Sequence, residues 1–163
     1  QAINEEAEEV SRNIRRQCER QGIPEVAGHF YYQEMVFHRL QMNKFSARRM
    51  VSWLVDLVSG YGESPLKVVF FSSLLVLMCS LVYFVTGIQD AGVLVMYRPE
   101  NRWLVNLESW LDCLYFSVVT FTTLGYGDLT PSGLSRIVAA FEAFTGSFSL
   151  ALFVVVFVKK MTR

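Results

Sequence analysis

The residues best suited to hold an ion form one segment that an aspartate follows: Thr123, Leu124, Gly125, Tyr126, Gly127 and then Asp128. A dehydrated cation needs oxygen atoms in place of its water shell, and backbone carbonyls supply them if successive peptides turn toward one axis. Such a backbone requires unusual dihedrals at alternate residues, which Gly125 and Gly127 can adopt at little steric cost. One strand cannot surround an ion, so we expect four copies of the chain to meet around the axis.

Within this segment the expected metal ligands are the backbone carbonyls of residues 123–126, and the Thr123 hydroxyl adds an oxygen at the inner end. Leu124 and Tyr126 would then point away from the axis, and the Tyr126 hydroxyl would bond to a preceding helix. An ordinary glycine-rich turn is the alternative, because two glycines that flank one residue are weak evidence alone. The position of the segment in the chain decides between the two.

Two long apolar segments surround it. Residues 68–88 contain no charge in 21 positions, and residues 137–158 contain a single charge, Glu142, in 22 positions. A helix rises about 1.5 Å per residue, so each segment covers the roughly 30 Å hydrocarbon core of a membrane. The chain is 52% hydrophobic, which agrees with this interpretation. We predict transmembrane helices at 67–88 and 134–158.

The connection between the two spans contains a third apolar stretch that is too short to cross a membrane. We predict a re-entrant pore helix at 110–122, because non-helical backbone at membrane depth must be shielded from lipid by protein. An interfacial helix lying flat on the outer surface is the alternative. A re-entrant helix would direct the partial negative charge of its C-terminal end at the ion path. The filter segment that follows it favours this arrangement.

The segment resembles the signature of the potassium channel family, Thr-Val-Gly-Tyr-Gly followed by Asp, and the resemblance covers about residues 66–160. Leu124 stands where Val is commonest. The resemblance implies a two-helix, inward-rectifier-like prokaryotic channel that conducts K⁺ passively through the filter 123–127 and uses no organic cofactor. It also implies three identical partner subunits. The residues expected to support the filter are Thr122, Asp128 and Val119, where Val119 replaces a Glu found in some relatives. Trp110 or the backbone would then pair with Asp128.

The second span carries candidate gating residues. Gly146 lies where family members often have a hinge, and close helix packing is the alternative for a glycine in a membrane helix. Glu142 is one helical turn earlier, and a carboxylate at membrane depth needs a partner or a wet cavity. We favour a structural hydrogen bond behind the filter over direct contact with ions. Spacings of four from Gly146 predict that three further residues line the inner cavity: Leu150, Val154 and Val158.

Two cytosolic elements are predicted before the spans. Residues 1–45 form a helical hairpin, because apolar residues recur at helical spacing and Gly22 and Pro24 mark the turn. Residues 46–60 resemble the slide helix of inward-rectifier-like channels, an amphipathic helix in the membrane interface. Its basic residues would contact lipid headgroups, anionic ones included. A plain buried helix is the alternative.

The predicted fold is therefore an all-α membrane protein, with a pore domain at 61–163, assembled as a homotetramer. Basic residues flank the spans outside the connection, so the positive-inside rule predicts a multi-pass protein of the plasma (inner) membrane with both termini in the cytoplasm. A weakly selective monovalent cation channel is one alternative, and a membrane-anchored sensor or interaction protein is another. No enzyme activity is expected, since no catalytic constellation appears. The net charge of zero gives no indication of nucleic-acid binding.

Overall fold

The computed structural model of the chain describes residues 2–43 and 45–162. They fall into two compact units, one of the described residues up to 69 together with those from 152 onward, and the other of residues 70–151. The helices are α1 (Ala2–Arg20), α2 (Pro24–Gln41), α3 (Ala47–Ser59), α4 (Pro65–Thr86), α5 (Trp103–Phe121) and α6 (Ser135–Met161). The strands are β1 (Ile88–Asp90), β2 (Val93–Val95) and β3 (Leu129–Pro131). This architecture confirms the prediction of a mostly helical protein.

In the first unit, α1 and α2 pack against each other as an antiparallel hairpin. Gly22 ends the first helix with φ +70°, a conformation that costs glycine little, and Pro24 occupies the first turn of the second. The surface of α1 that is buried in the unit is polar and includes Glu8 and Ser11. Ile3 and Val10 are mostly exposed. The apolar residues of α1 therefore recur at helical spacing, but they lie on the side of the helix that faces away from α2.

A charge network holds the hairpin together. Glu34 of α2 is buried and forms ion pairs with Arg12 Nε at 3.0 Å and with Arg15 Nε at 2.9 Å. Arg12 also pairs with Glu8, which accepts a second hydrogen bond of 2.7 Å from Gln41. Buried carboxylates are tolerated when they are paired and hydrogen-bonded in this way.

The polar stripe of α3 faces protein. Asp56 forms ion pairs with Arg39 at 2.8 Å and with Lys67 at 3.0 Å, and the Ser52 hydroxyl lies 2.7 Å from that of Tyr61. Burial acts to raise the pKa of Asp56, but the hydrogen bonds from Lys67 and Arg39 outweigh it and hold the pKa below its usual value. Consequently the apolar side of α3 is left on the surface of the chain, with exposed Met50, Val51, Trp53, Leu54 and Leu57.

Helices α4 and α6 are long and apolar enough to cross a membrane. This confirms the prediction of two membrane-capable helices. Their bounds in the structure, Pro65–Thr86 and Ser135–Met161, differ by a few residues from the predicted 67–88 and 134–158. Pro65 begins α4 because proline is tolerated in the first turn of a helix.

The second unit contains a small antiparallel sheet in the order β2-β1-β3, so the prediction of an all-α protein was wrong in this detail. Ala91 and Gly92 connect β1 to β2 with φ of +47° and +89°. Positive φ at both central residues is the hairpin turn that matches the twist of paired strands. Each strand is only three residues long, too short for a clear alternation of apolar and polar residues.

Helix α5 begins at Trp103, seven residues before the predicted start of the pore helix at 110. The prediction counted only the most apolar run. The added turns are anchored by Asn106, whose side-chain amide donates to the Arg98 carbonyl at 2.9 Å and whose side-chain oxygen accepts from the Arg98 N–H at 3.3 Å. A local side-chain bond of this kind holds the backbone that enters the helix.

We predict that Glu34→Gln loosens the hairpin, because it leaves two arginines without their buried carboxylate. We expect the free energy of opening the hairpin to fall by about 2 kcal/mol, which corresponds to roughly thirtyfold faster amide exchange. Hydrogen exchange of the α1 and α2 peptides in the full chain measures it. Glu6→Gln is the matched control because Glu6 is exposed on α1. Equal exchange in the two variants would show that the network contributes nothing to the hairpin.

Candidate functional site

The candidate site begins where α5 ends. The N–H of Thr123 donates to the Thr120 carbonyl at 3.0 Å, and the N–H of Leu124 donates to the Val119 carbonyl at 3.1 Å. With Thr123 at φ +57°, these two bonds form a Schellman motif, the usual helix C-terminal cap. Glycine normally occupies this left-handed position, so a threonine there carries backbone strain. The Val119 carbonyl therefore accepts the bond that caps α5 at the start of residues 123–127.

Left-handed residues then alternate along the segment. Thr123, Gly125 and Gly127 have φ of +57°, +57° and +81°, and neither Leu124 nor Tyr126 has positive φ. Sequence reasoning expected positive φ at the two glycines and missed Thr123. The signal available for Thr123 was its position just beyond the end of a predicted helix. The alternation is the backbone pattern that a row of carbonyl oxygens on one side requires.

The segment is open to its surroundings along its length. Leu124 is 59% exposed and Tyr126 is 67% exposed. A methyl group added at Gly125 or Gly127 would meet no atom of the chain within 4 Å. The Tyr126 hydroxyl was expected to bond to the preceding helix, and no such bond lies within the described chain. The described part of the chain therefore leaves these two side chains uncovered.

The C-terminal end of the segment is held by backbone pairing and by a side-chain hydrogen bond. Strand β3 follows Asp128 directly and pairs with β1, which places Leu129 opposite Asp90. The Tyr115 hydroxyl of α5 donates to the Asp128 carboxylate at 2.8 Å. This bond, with a backbone N–H from Leu129, lowers the pKa of Asp128 below its usual value.

Tyr115 is the pairing residue that sequence reasoning missed. It lies one helical turn before Val119, on the same face of α5, and from there it reaches the Asp128 carboxylate. Trp110 was one of the two predicted partners, and that prediction was wrong. The other was the backbone, and Leu129 supplies part of it.

On α6, Glu142 and Gly146 both face α5. Glu142 is fully buried and hydrogen-bonds to Tyr83 at 2.5 Å and to Ser117. A methyl group at Gly146 would overlap the Phe121 carbonyl. Ser117 and Phe121 are themselves four residues apart, so the two helices touch along matching faces. This contact favours close packing as the reason for a glycine at 146.

The three remaining residues predicted on the inner helix lie on its surface. Leu150, Val154 and Val158 are exposed to 41%, 58% and 50%. Their side chains are therefore available to line a cavity or to meet lipid.

Comparison with known proteins identifies the class. The sequence pattern that defines a family described as "Ion channel" matches residues 68–163. The chain belongs to this ion channel family. The family indicates a membrane channel and not an enzyme, and its matched region includes both membrane-capable helices from residue 68 onward.

Three curated proteins are similar to parts of the chain. Two-pore potassium channel 1 of Arabidopsis thaliana is 36% identical over 84 residues, which is 50% of this chain and 23% of that protein. Two pore potassium channel a of Oryza sativa subsp. japonica is 51% identical over 45 residues, 27% of this chain and 13% of that protein. Potassium channel protein kcv of Paramecium bursaria Chlorella virus 1 is 56% identical over 23 residues, which is 14% of this chain and 24% of that protein.

The matches span a quarter or less of each relative's length. No solved structure is significantly similar to the chain.

We predict that Tyr115→Phe raises the pKa of Asp128 toward the ordinary value of about 3.9, because it removes the donor that stabilises the carboxylate. In the wild type, the stabilisation from this hydrogen bond is fully present above the ordinary pKa of Asp. It is lost as the pH falls through the lowered pKa of Asp128. Infrared titration of the carboxyl bands measures the shift, and Asp128→Asn identifies the band. Tyr97→Phe changes a tyrosine whose ring packs edge-on against Phe84, and it should leave the titration unchanged. An unaltered titration in Tyr115→Phe would contradict the assignment.

Helix propensity alone would make Gly146→Ala more stable by about 1 kcal/mol. The overlap with the Phe121 carbonyl predicts the opposite sign, so the purified variant should unfold at a lower temperature than wild type. Ser147→Ala is the control, since Ser147 is exposed on the same helix. A variant that keeps its thermal stability but conducts less would instead support a hinge at Gly146.

Proposed function

We propose that this protein is a potassium-selective channel that conducts K⁺ passively through a filter made of residues 123–127. The observation that carries the proposal is the alternation of left-handed residues at Thr123, Gly125 and Gly127 in an otherwise uncovered segment. In this proposal the carbonyls of residues 123–126 and the Thr123 hydroxyl replace the water shell of the ion. The similarity to proteins named as potassium channels supports K⁺ as the permeant ion.

We further propose a homotetramer, with three identical subunits around each chain. One segment supplies oxygens from one side only, whereas an ion in a filter is surrounded. The exposed side chains of Leu124 and Tyr126 support this arrangement, because neighbouring subunits would cover them and give the Tyr126 hydroxyl a partner.

In the membrane, α4 and α6 would both cross, with the two chain termini in the cytoplasm of a prokaryotic cell and the filter near the outer face of its inner membrane. Helix α3 would lie in the cytoplasmic interface as a slide helix. Its satisfied polar stripe and exposed apolar side support contact with acyl chains, and Arg48 and Arg49 at its start would attract anionic headgroups.

The gate of the proposed channel is assigned to the inner helix. Leu150, Val154 and Val158 would form a hydrophobic constriction that closes by dewetting. Their surface exposure in the single chain leaves them available for this role. Gly146 is proposed as the point against which α5 packs, and a hinge there is the alternative.

The proposal predicts that the purified protein in liposomes carries K⁺ flux far above Na⁺ flux and is blocked by Ba²⁺. In Gly125→Ala, the left-handed position costs roughly 1–2 kcal/mol, and the K⁺ to Na⁺ flux ratio should fall by about tenfold.

Gly133→Ala is the matched control for this experiment. Gly133 has φ +51° and, like Gly125, no atom within 4 Å of an added methyl group, but it lies outside the filter. Its flux ratio should stay at the wild-type value. Equal K⁺ and Na⁺ flux through the wild type would favour a weakly selective cation channel. Absence of any flux would favour a membrane-anchored sensor.

A further inference from the structure

A buried hydrogen-bond chain connects three helices around Glu142. The Tyr83 hydroxyl of α4 lies 2.5 Å from Glu142 Oε2. The Ser117 hydroxyl of α5 contacts Glu142 Oε1, and the same hydroxyl lies 2.9 Å from the Val76 carbonyl of α4. Glu142 itself belongs to α6. All the atoms in this chain of contacts lie in one unit, and the carboxyl group has no access to solvent within it.

Counting protons shows what these contacts require. A serine hydroxyl has one proton, and a backbone carbonyl only accepts, so the bond to Val76 uses the Ser117 proton. The Tyr83 proton serves the bond to Oε2. An ionised carboxylate also only accepts, which would leave the contact between Ser117 and Oε1 without a proton. One proton on Oε1 removes the deficit, because the three contacts that join Tyr83, Glu142, Ser117 and Val76 then have three protons. The Cys79 thiol, which also bonds to Glu142, supplies its own proton and leaves this count unchanged.

The charges around Glu142 agree with this count. The other titratable groups that face it are Tyr83 and Cys79, both on α4, and both are ordinarily neutral near pH 7. In the part of the chain that the structure describes, Glu142 takes part in no ion pair with a basic side chain. An ionised carboxylate buried in apolar surroundings without a cation is costly, and more so at membrane depth.

We infer that Glu142 is held as a neutral carboxylic acid that donates a hydrogen bond to Ser117, and that it is a positioning residue for the helix that carries the filter. Ser117 lies on α5, six residues before Thr123, which follows the end of that helix. One helical turn after Ser117, Phe121 of α5 meets Gly146 of α6. Glu142 therefore acts on the filter through α5, with Tyr83 and Val76 joining α4 to the same point.

The inference goes beyond a bond behind the filter, because it assigns the protonation state and the direction of each bond. It rests on the proposed function only where flux is the measurement.

Glu142→Gln is the decisive variant. Its amide N–H can donate to Ser117 and its amide oxygen can accept from Tyr83, so the proton count is preserved without an ionisable group. We expect K⁺ flux and the K⁺ to Na⁺ ratio within about twofold of wild type. Glu142→Ala leaves the buried Tyr83 hydroxyl without its acceptor and removes the link between Ser117 and α6, and we expect flux to fall by roughly tenfold or more. Glu108→Ala is the control, since Glu108 is exposed on α5.

If Glu142 were an ionised group that attracts K⁺, Glu142→Gln would lose flux as severely as Glu142→Ala, and that result would overturn the inference. Infrared spectroscopy supplies a second measurement that needs neither flux nor the alanine variant. A carboxylic acid carbonyl band should be present in the wild type, absent in Glu142→Gln, and shifted to higher frequency in Tyr83→Phe. A wild-type spectrum that lacks a band removable by Glu142→Gln would overturn the inference.

The two measurements separate the failures. A protein that shows this infrared band but no preference for K⁺ would retain the assignment of Glu142 and contradict the proposed filter. A selective channel without the band would retain the filter and contradict the assignment.

Discussion

The structure of this protein depends on holding a segment that has almost no contacts of its own. Residues 123–127 alternate left-handed and ordinary backbone, and a methyl group added at Gly125 or Gly127 would meet no described atom within 4 Å. A backbone in this conformation does not persist unless the surrounding structure determines it. The constraint is therefore applied at the two ends, by the Schellman cap on α5 and by the pairing of β3 with β1.

The same constraint explains the contacts of α5. Residues 123–127 can be no better positioned than the helix that leads into them. Helix α5 is fixed to α6 where Phe121 meets Gly146, to α4 where Ser117 reaches Val76, and to Asp128 through Tyr115. These contacts use small residues and hydroxyl groups because apolar side chains gain little by leaving lipid for a helix interface.

The other unit is organised by charge. The hairpin of α1 and α2 is joined by Glu34 and its two arginines, and Asp56 joins α3 to Arg39 and Lys67. Polar groups on the inside leave apolar groups on the outside, along α1 and α3 alike. For α3 this is the distribution expected of a helix at a membrane interface.

The sequence alone determined the two membrane-capable helices and the ion channel class, because twenty apolar residues in a row have few other uses and because the filter motif is specific. It also placed the positive φ at Gly125 and Gly127, since steric freedom belongs to the residue type. Only the tertiary structure decided which residues meet. Only the structure identified Tyr115 as the hydrogen-bond partner of Asp128. The two residues are 13 positions apart, and no local sequence pattern encodes the distance between their side chains. The small sheet was missed because strands of three residues carry too few positions to show a period. The partners of Glu142 come from two other helices, and the separation of 59 residues between it and Tyr83 is closed only by folding.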